Sequence, residues 1–68
     1  MFYFFEKAQR YVRCEVVARD GGWHIVILEP DREERTEDFA TSNAAHARWQ
    51  ELQAAFTNDG WFGPYGRD

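Results

Sequence analysis

The stretch RYVRCEVVARDGGWHIVILEP, residues 10–30, decides the fold. Two runs rich in β-branched and aromatic residues, 10–19 and 23–29, flank Asp20-Gly21-Gly22. Such runs favour a pleated strand, and the insert supplies the positive-φ positions of a tight reversal, so the stretch predicts an antiparallel hairpin. In the first arm Val12, Cys14, Val16 and Ala18 alternate with Tyr11, Arg13, Glu15, Val17 and Arg19, an apolar set against a mixed one. The second arm differs. Its two sets are Trp23, Ile25, Ile27 and His24, Val26, Leu28, so WHIVIL is apolar on both faces, as in strands covered on both sides. A three-residue turn at 20–22 sets Val26 and Leu28 opposite Val16 and Cys14 on the face that a helix covers. Trp23, Ile25 and Ile27 then join Tyr11 and Val17 on the other face.

Working outward, EPDREE (29–34) reads as a second turn, with Pro30 presetting φ at a corner and Asp31 favouring side-chain-to-backbone bonding. RTEDFA (35–40) returns as a short charged strand, the composition that keeps an edge from pairing with strangers. FYFFE (2–6) reads as a first strand, joined to the hairpin through Lys7-Ala8-Gln9. In TSNAAHARWQELQAAFTNDG (41–60) the residues Thr41, Ser42 and Asn43 suit an N-cap. Ala45, Trp49, Leu52 and Phe56 then recur on one helical stripe. The expected fold is a two-layer α+β domain over residues 1–68: a four-stranded antiparallel meander with one C-terminal helix on one face, ββββα.

The ending NDGWFGPYGRD (58–68) carries Trp61, Phe62 and Tyr65. With Gly60 in the left-handed position after the helix, Trp61 and Phe56 become the apolar pair of a Schellman ending. Gly63-Pro64-Tyr65-Gly66 matches a type I turn, so the tail is expected to reverse and lie on the domain. Seven of the twelve aromatic residues lie in the first five or last eight positions, against the aromatic-poor signature of disordered ends.

A chain of 68 residues buries only about 60% of its unfolded surface, so its core needs a supplement. Cys14 is the single cysteine, which removes disulfides and points to a reducing compartment, the cytoplasm. The start lacks the basic lead-in and cleavage site of a signal peptide, and no run has membrane-spanning length. Net charge is −4, concentrated in residues 29–41. That opposes the basic field of a phosphate-binding surface.

Catalytic chemistry finds little support. His24, His46 and Cys14 are the only imidazole or thiol groups, and a structural zinc site needs four ligands at paired spacings. Cys14, among apolar neighbours, lacks the electropositive setting of a nucleophile. No glycine-rich loop leads into a helix, and the acidic run lacks the pattern of a calcium loop. The expectation is a non-catalytic protein without cofactor or metal.

The run KAQRYVRCEVVARDGGWHIVILEP leading to one helix is similar, in order of elements, to the four-strands-plus-helix units of the PUR-alpha, Whirly and positive-cofactor-type single-strand binders. That resemblance implies nucleic-acid binding on the open sheet face. The ending NDGWFGPYGRD also resembles that of small bacterial proteins of uncharacterised role, which implies no activity. Two roles follow for the face away from the helix. The first is a homodimer, or a contact with another protein partner, through Tyr11, Val17, Trp23, Ile25 and Ile27. The alternative is single-stranded DNA or RNA bound through Tyr11, Arg13 and Arg19, where aromatic rings stack bases and arginines track phosphate.

Overall fold

The computed structural model describes residues 1–67, in the order β1 (Phe2–Lys7), β2 (Arg10–Arg19), β3 (Gly22–Leu28), β4 (Arg35–Phe39), α1 (Ser42–Asn58) and β5 (Phe62–Arg67). The strands form one antiparallel sheet in the order β4-β3-β2-β1-β5, and α1 covers one of its faces. The class is α+β as the sequence predicts, but the sheet has five strands rather than four.

The hairpin at 10–28 closes on two residues, not three. Asp20 (φ 55°) and Gly21 (φ 77°) are both left-handed, and Arg19 pairs directly with Gly22. This is the backbone that two-residue hairpin loops adopt, because its twist matches that of the flanking strands. Shortening the loop by one residue moves every side chain of β3 to the opposite face. Val16 therefore faces Ile25 and Cys14 faces Ile27, while Val17, Glu15 and Arg13 face His24, Val26 and Leu28. The expected register is thereby corrected. Ile25 and Ile27, placed by the sequence on the open face, are fully buried under the helix, and Trp23 packs against the same core.

The core lies between sheet and helix. Phe5, Val12, Cys14, Val16, Ile25 and Ile27 supply the sheet side; Ala45, Trp49, Leu52 and Phe56 supply the helical stripe read from the sequence. Tyr3 stacks on Trp49 with ring centroids 4.7 Å apart, and Phe5 meets Phe56 at 5.0 Å. Thr41 caps the helix, its hydroxyl oxygen accepting from the Ala44 N–H. The first two strands also meet through a two-residue turn, Ala8 (φ 50°) and Gln9 (φ 64°). Neither residue is glycine, so the composition carried no mark of it.

The helix ends as the sequence predicts. Gly60 (φ 94°) donates to the Thr57 carbonyl and Trp61 to the Phe56 carbonyl, the two bonds of a Schellman ending. The indole of Trp61 sits edge-on to Phe56 at 6.4 Å, with the Lys7 ammonium 5.5 Å from its ring centre. Beyond it the expected type I turn is absent. Residues 62–67 instead extend along the free edge of β1, with Phe4 opposite Tyr65 and Tyr3 opposite Gly66. An unpaired strand edge leaves backbone donors and acceptors open, and the tail supplies partners for them. A Cβ on Gly66 would lie 2.3 Å from the Tyr3 ring, so only glycine lets the two strands approach there.

Two measurements check this arrangement. Ile27→Asp, which puts a carboxylate into the helix-side core, should abolish cooperative unfolding, whereas Leu28→Asp should keep the fold at a cost of about 1 kcal/mol. The three-residue turn would reverse that order. Trp61→Ala should cost about 2 kcal/mol in urea unfolding, below the figure for a fully buried tryptophan because part of the ring meets solvent. An unchanged midpoint would mean that the tail does not stabilise the core.

Candidate functional site

Alternation along the strands builds the face opposite α1. From β1 it receives Phe2, Phe4 and Glu6; from β2, Tyr11, Arg13, Glu15, Val17 and Arg19; from β3, His24, Val26 and Leu28. β5 adds Tyr65 beside Phe4. The aromatic half is continuous. Phe4 lies 5.3 Å from Tyr65 and 6.1 Å from Tyr11, centroid to centroid, and the Arg13 guanidinium lies 5.2 Å over the Phe2 ring. Phe2, Tyr11 and Tyr65 are exposed. Two shallow depressions open here, one floored by Phe2, Phe4, Tyr11 and Arg13, the other by Phe2, Phe4, Tyr65 and Gly66.

The residues expected on this face divide. Tyr11 and Val17 are there, while Trp23, Ile25 and Ile27 are on the other side of the sheet. Phe2, Phe4, Val26, Leu28 and Tyr65 take their place. The alternation in FYFFE carried the signal for Phe2 and Phe4, since they share a parity opposite to that of core Phe5. Tyr65 had no such signal, because its face depends on a pairing far along the chain. Of the nucleic-acid set, Tyr11 and Arg13 come together around Phe2 and Phe4. Arg19 does not join them; it ends β2 at the hairpin turn, eight residues or roughly 26 Å from Tyr11.

Among the described side chains the face has no excess of positive charge. Arg13 and Arg19 are set against Glu6, Glu15 and Asp38, and the exposed Glu34 borders the depression between Arg13 and Leu28. His24 Nδ1 lies 2.6 Å from an Asp38 carboxylate oxygen, and its Nε2 lies 3.3 Å from the Arg19 carbonyl oxygen. The imidazole is thus held between two strands.

Burial pushes the Cys14 thiol up to about 12, outweighing the attraction of Arg35, so the protonated form is favoured. His46 is exposed on α1 beside Gln50. Among the described residues no group of three or more His, Cys, Asp or Glu side chains stands where a metal ion could be held. Among them, too, no helix is long and apolar enough to cross a membrane. On the helix side Arg48 grips Glu37 with two bonds, Nε at 2.7 Å and Nη2 at 3.1 Å, tying α1 to β4. The hydrogen bonds from Arg48 hold the Glu37 carboxyl below its ordinary value, against the opposing effect of burial, and raise Arg48 further above its own.

Comparison with protein-family models, with curated proteins and with solved structures returned no match.

The depressed Glu37 carboxyl has a consequence for stability. A group more acidic in the folded state adds stability above its ordinary value of 4.5, lost as pH falls through the folded value. Glu37→Gln should therefore be less stable than wild type at neutral pH, and the gap should narrow as pH falls below the ordinary carboxyl value of 4.5. Urea midpoints on both sides of that value measure it; a constant gap would mean that the Glu37–Arg48 pair contributes nothing through charge.

Proposed function

We propose that the chain is a non-catalytic interaction module that self-associates through the open sheet face. One observation carries this reading. The face carries an aromatic cluster of Phe2, Phe4, Tyr11 and Tyr65 on one side of Arg13 and Glu15 and the aliphatic Val26 and Leu28 on the other, and α1 lies on the opposite side of the sheet. Soluble monomers rarely expose contiguous apolar patches beyond a few hundred Å². A second copy brings an identical patch and supplies the burial that a core of this size lacks. The molecule measures 37 × 21 × 20 Å. An open face running along its length has an outline comparable with the roughly 800 Å² that each partner contributes to a standard interface.

Charge separates this reading from nucleic-acid binding. Tyr11, Arg13 and Phe2 form the kind of ring-and-guanidinium group on which bases stack. Phosphate, however, requires a basic track. Here Glu6, Glu15 and Asp38 interrupt it, in a chain of net charge −4. Opposite charges interspersed among rings suit a protein surface, and one of their own kind best.

Equilibrium sedimentation at high micromolar concentration tests the proposal. Wild type should sediment as a dimer and Leu28→Asp as a folded monomer, with neither changed by a poly-pyrimidine oligonucleotide. A wild type that stays monomeric would overturn self-association. Salt-sensitive binding of the oligonucleotide by that monomer would put the nucleic-acid role in its place.

A further inference from the structure

The pleat of the central strand contains enough pattern to orient one copy upon the other. β2 lies in the middle of the five-stranded sheet, and Arg13 and Glu15 project from it on the open side, one pleat apart, near the midpoint of its ten residues. Among the described residues neither enters an ion pair. Two rows cross the sheet through these positions. One runs Leu28, Arg13, Phe4; the next runs Val26, Glu15, Phe2. Among the described side chains β1 and β3 thus offer an apolar residue in both rows, and the charge changes sign between them on β2.

A two-fold pair packed face to face has its axis in the plane between the sheets. An axis along β2 would lay each row upon itself, setting Arg13 against the partner's Arg13 and Glu15 against the partner's Glu15. Like charges brought together in an apolar contact are strongly unfavourable. An axis across the strands at position 14 reverses the strand direction and exchanges the rows. Arg13 then meets the partner's Glu15 twice, Phe4 meets the partner's Phe2, and Leu28 meets the partner's Val26. Packed sheets twist by about 30° against each other, which displaces pairs at the outer strands most and those on the central strand least.

We propose that two copies pair through this face with β2 antiparallel over the partner's β2, and that reciprocal Arg13–Glu15 contacts set the orientation. The proposal rests on the self-association reading and specifies its geometry. The two contacts act mainly on orientation and partner choice, because desolvating the charges offsets much of their attraction.

A charge-exchange experiment on the full chain tests it. Arg13→Glu makes both positions 13 and 15 acidic, and Glu15→Arg makes both basic. Each single variant should dimerise at least about tenfold more weakly than wild type. An equimolar mixture of the two should form the mixed dimer in large excess over the statistical half, counted by native mass spectrometry. The double exchange R13E/E15R restores both contacts with their signs reversed and should dimerise like wild type. Both positions are solvent-exposed, and circular dichroism confirms that each variant is folded. If wild type dimerises but both single variants do so undiminished and mix statistically, this orientation is wrong while self-association stands. A monomeric wild type removes both.

Discussion

The two left-handed residues Asp20 and Gly21 set the constraint on which the two faces of the sheet depend. A strand has a side-chain period of two, so the loop length of a hairpin determines which half of each strand faces inward. With two residues in the loop, Ile25 and Ile27 complete a layer begun by Val12, Cys14 and Val16, and α1 has an apolar floor on which to seat Trp49, Leu52 and Phe56. The same parity seals Cys14 away from solvent and raises its thiol pKa through burial. It also determines the chemistry of the outer face. Val26 and Leu28 are branched aliphatics whose cross-strand neighbours on β2 are Glu15 and Arg13, which separate them from the aromatics of β1.

The end of the chain depends on a second local geometry with distant consequences. The Schellman ending turns the backbone after Asn58 and holds Trp61 against Phe56, directing the following residues toward the open edge of β1. There they become β5, whose Gly66 accommodates the Tyr3 ring and whose Tyr65 extends the aromatic surface around Phe4. The new edge contains Pro64, which has no N–H to offer an incoming strand. β4, at the opposite edge, is short and charged. The sheet therefore discourages growth at its edges, and its exposed apolar area is concentrated on one face.

That division organises the functional reading. The helix-side face is closed by rings, aliphatics and the Glu37–Arg48 bridge. The open face combines apolar area with interspersed opposite charges, a combination suited to a partner with the same pattern. Nucleic acid would take advantage of the rings but would meet carboxylates where phosphates must lie. A small core gains from association through such a surface, and a central pair of opposite charges can orient it.

Much of this was determined by the sequence alone. The helical stripe of Ala45, Trp49, Leu52 and Phe56, an N-cap among Thr41, Ser42 and Asn43, and the Gly60–Trp61 ending are local, because spacing along one helix and chemistry at its ends suffice to specify them. The α+β class and the inward parity of Val12, Cys14 and Val16 are likewise local. Three features were decided by tertiary structure. The face of β3 depended on a one-residue difference in loop length, which Asp-Gly-Gly permits either way, and an apolar set on both sides gave no hydrophobic preference between registers. The fifth strand arose because β1 had an unpaired edge, a demand invisible from Phe62–Arg67 themselves. The meeting of Phe2, Phe4, Tyr11 and Tyr65 required three strands, one of them more than fifty residues distant, so no local pattern could disclose it. Periodicity specifies which residues share a strand face, but the choice between faces is made by what packs across the sheet.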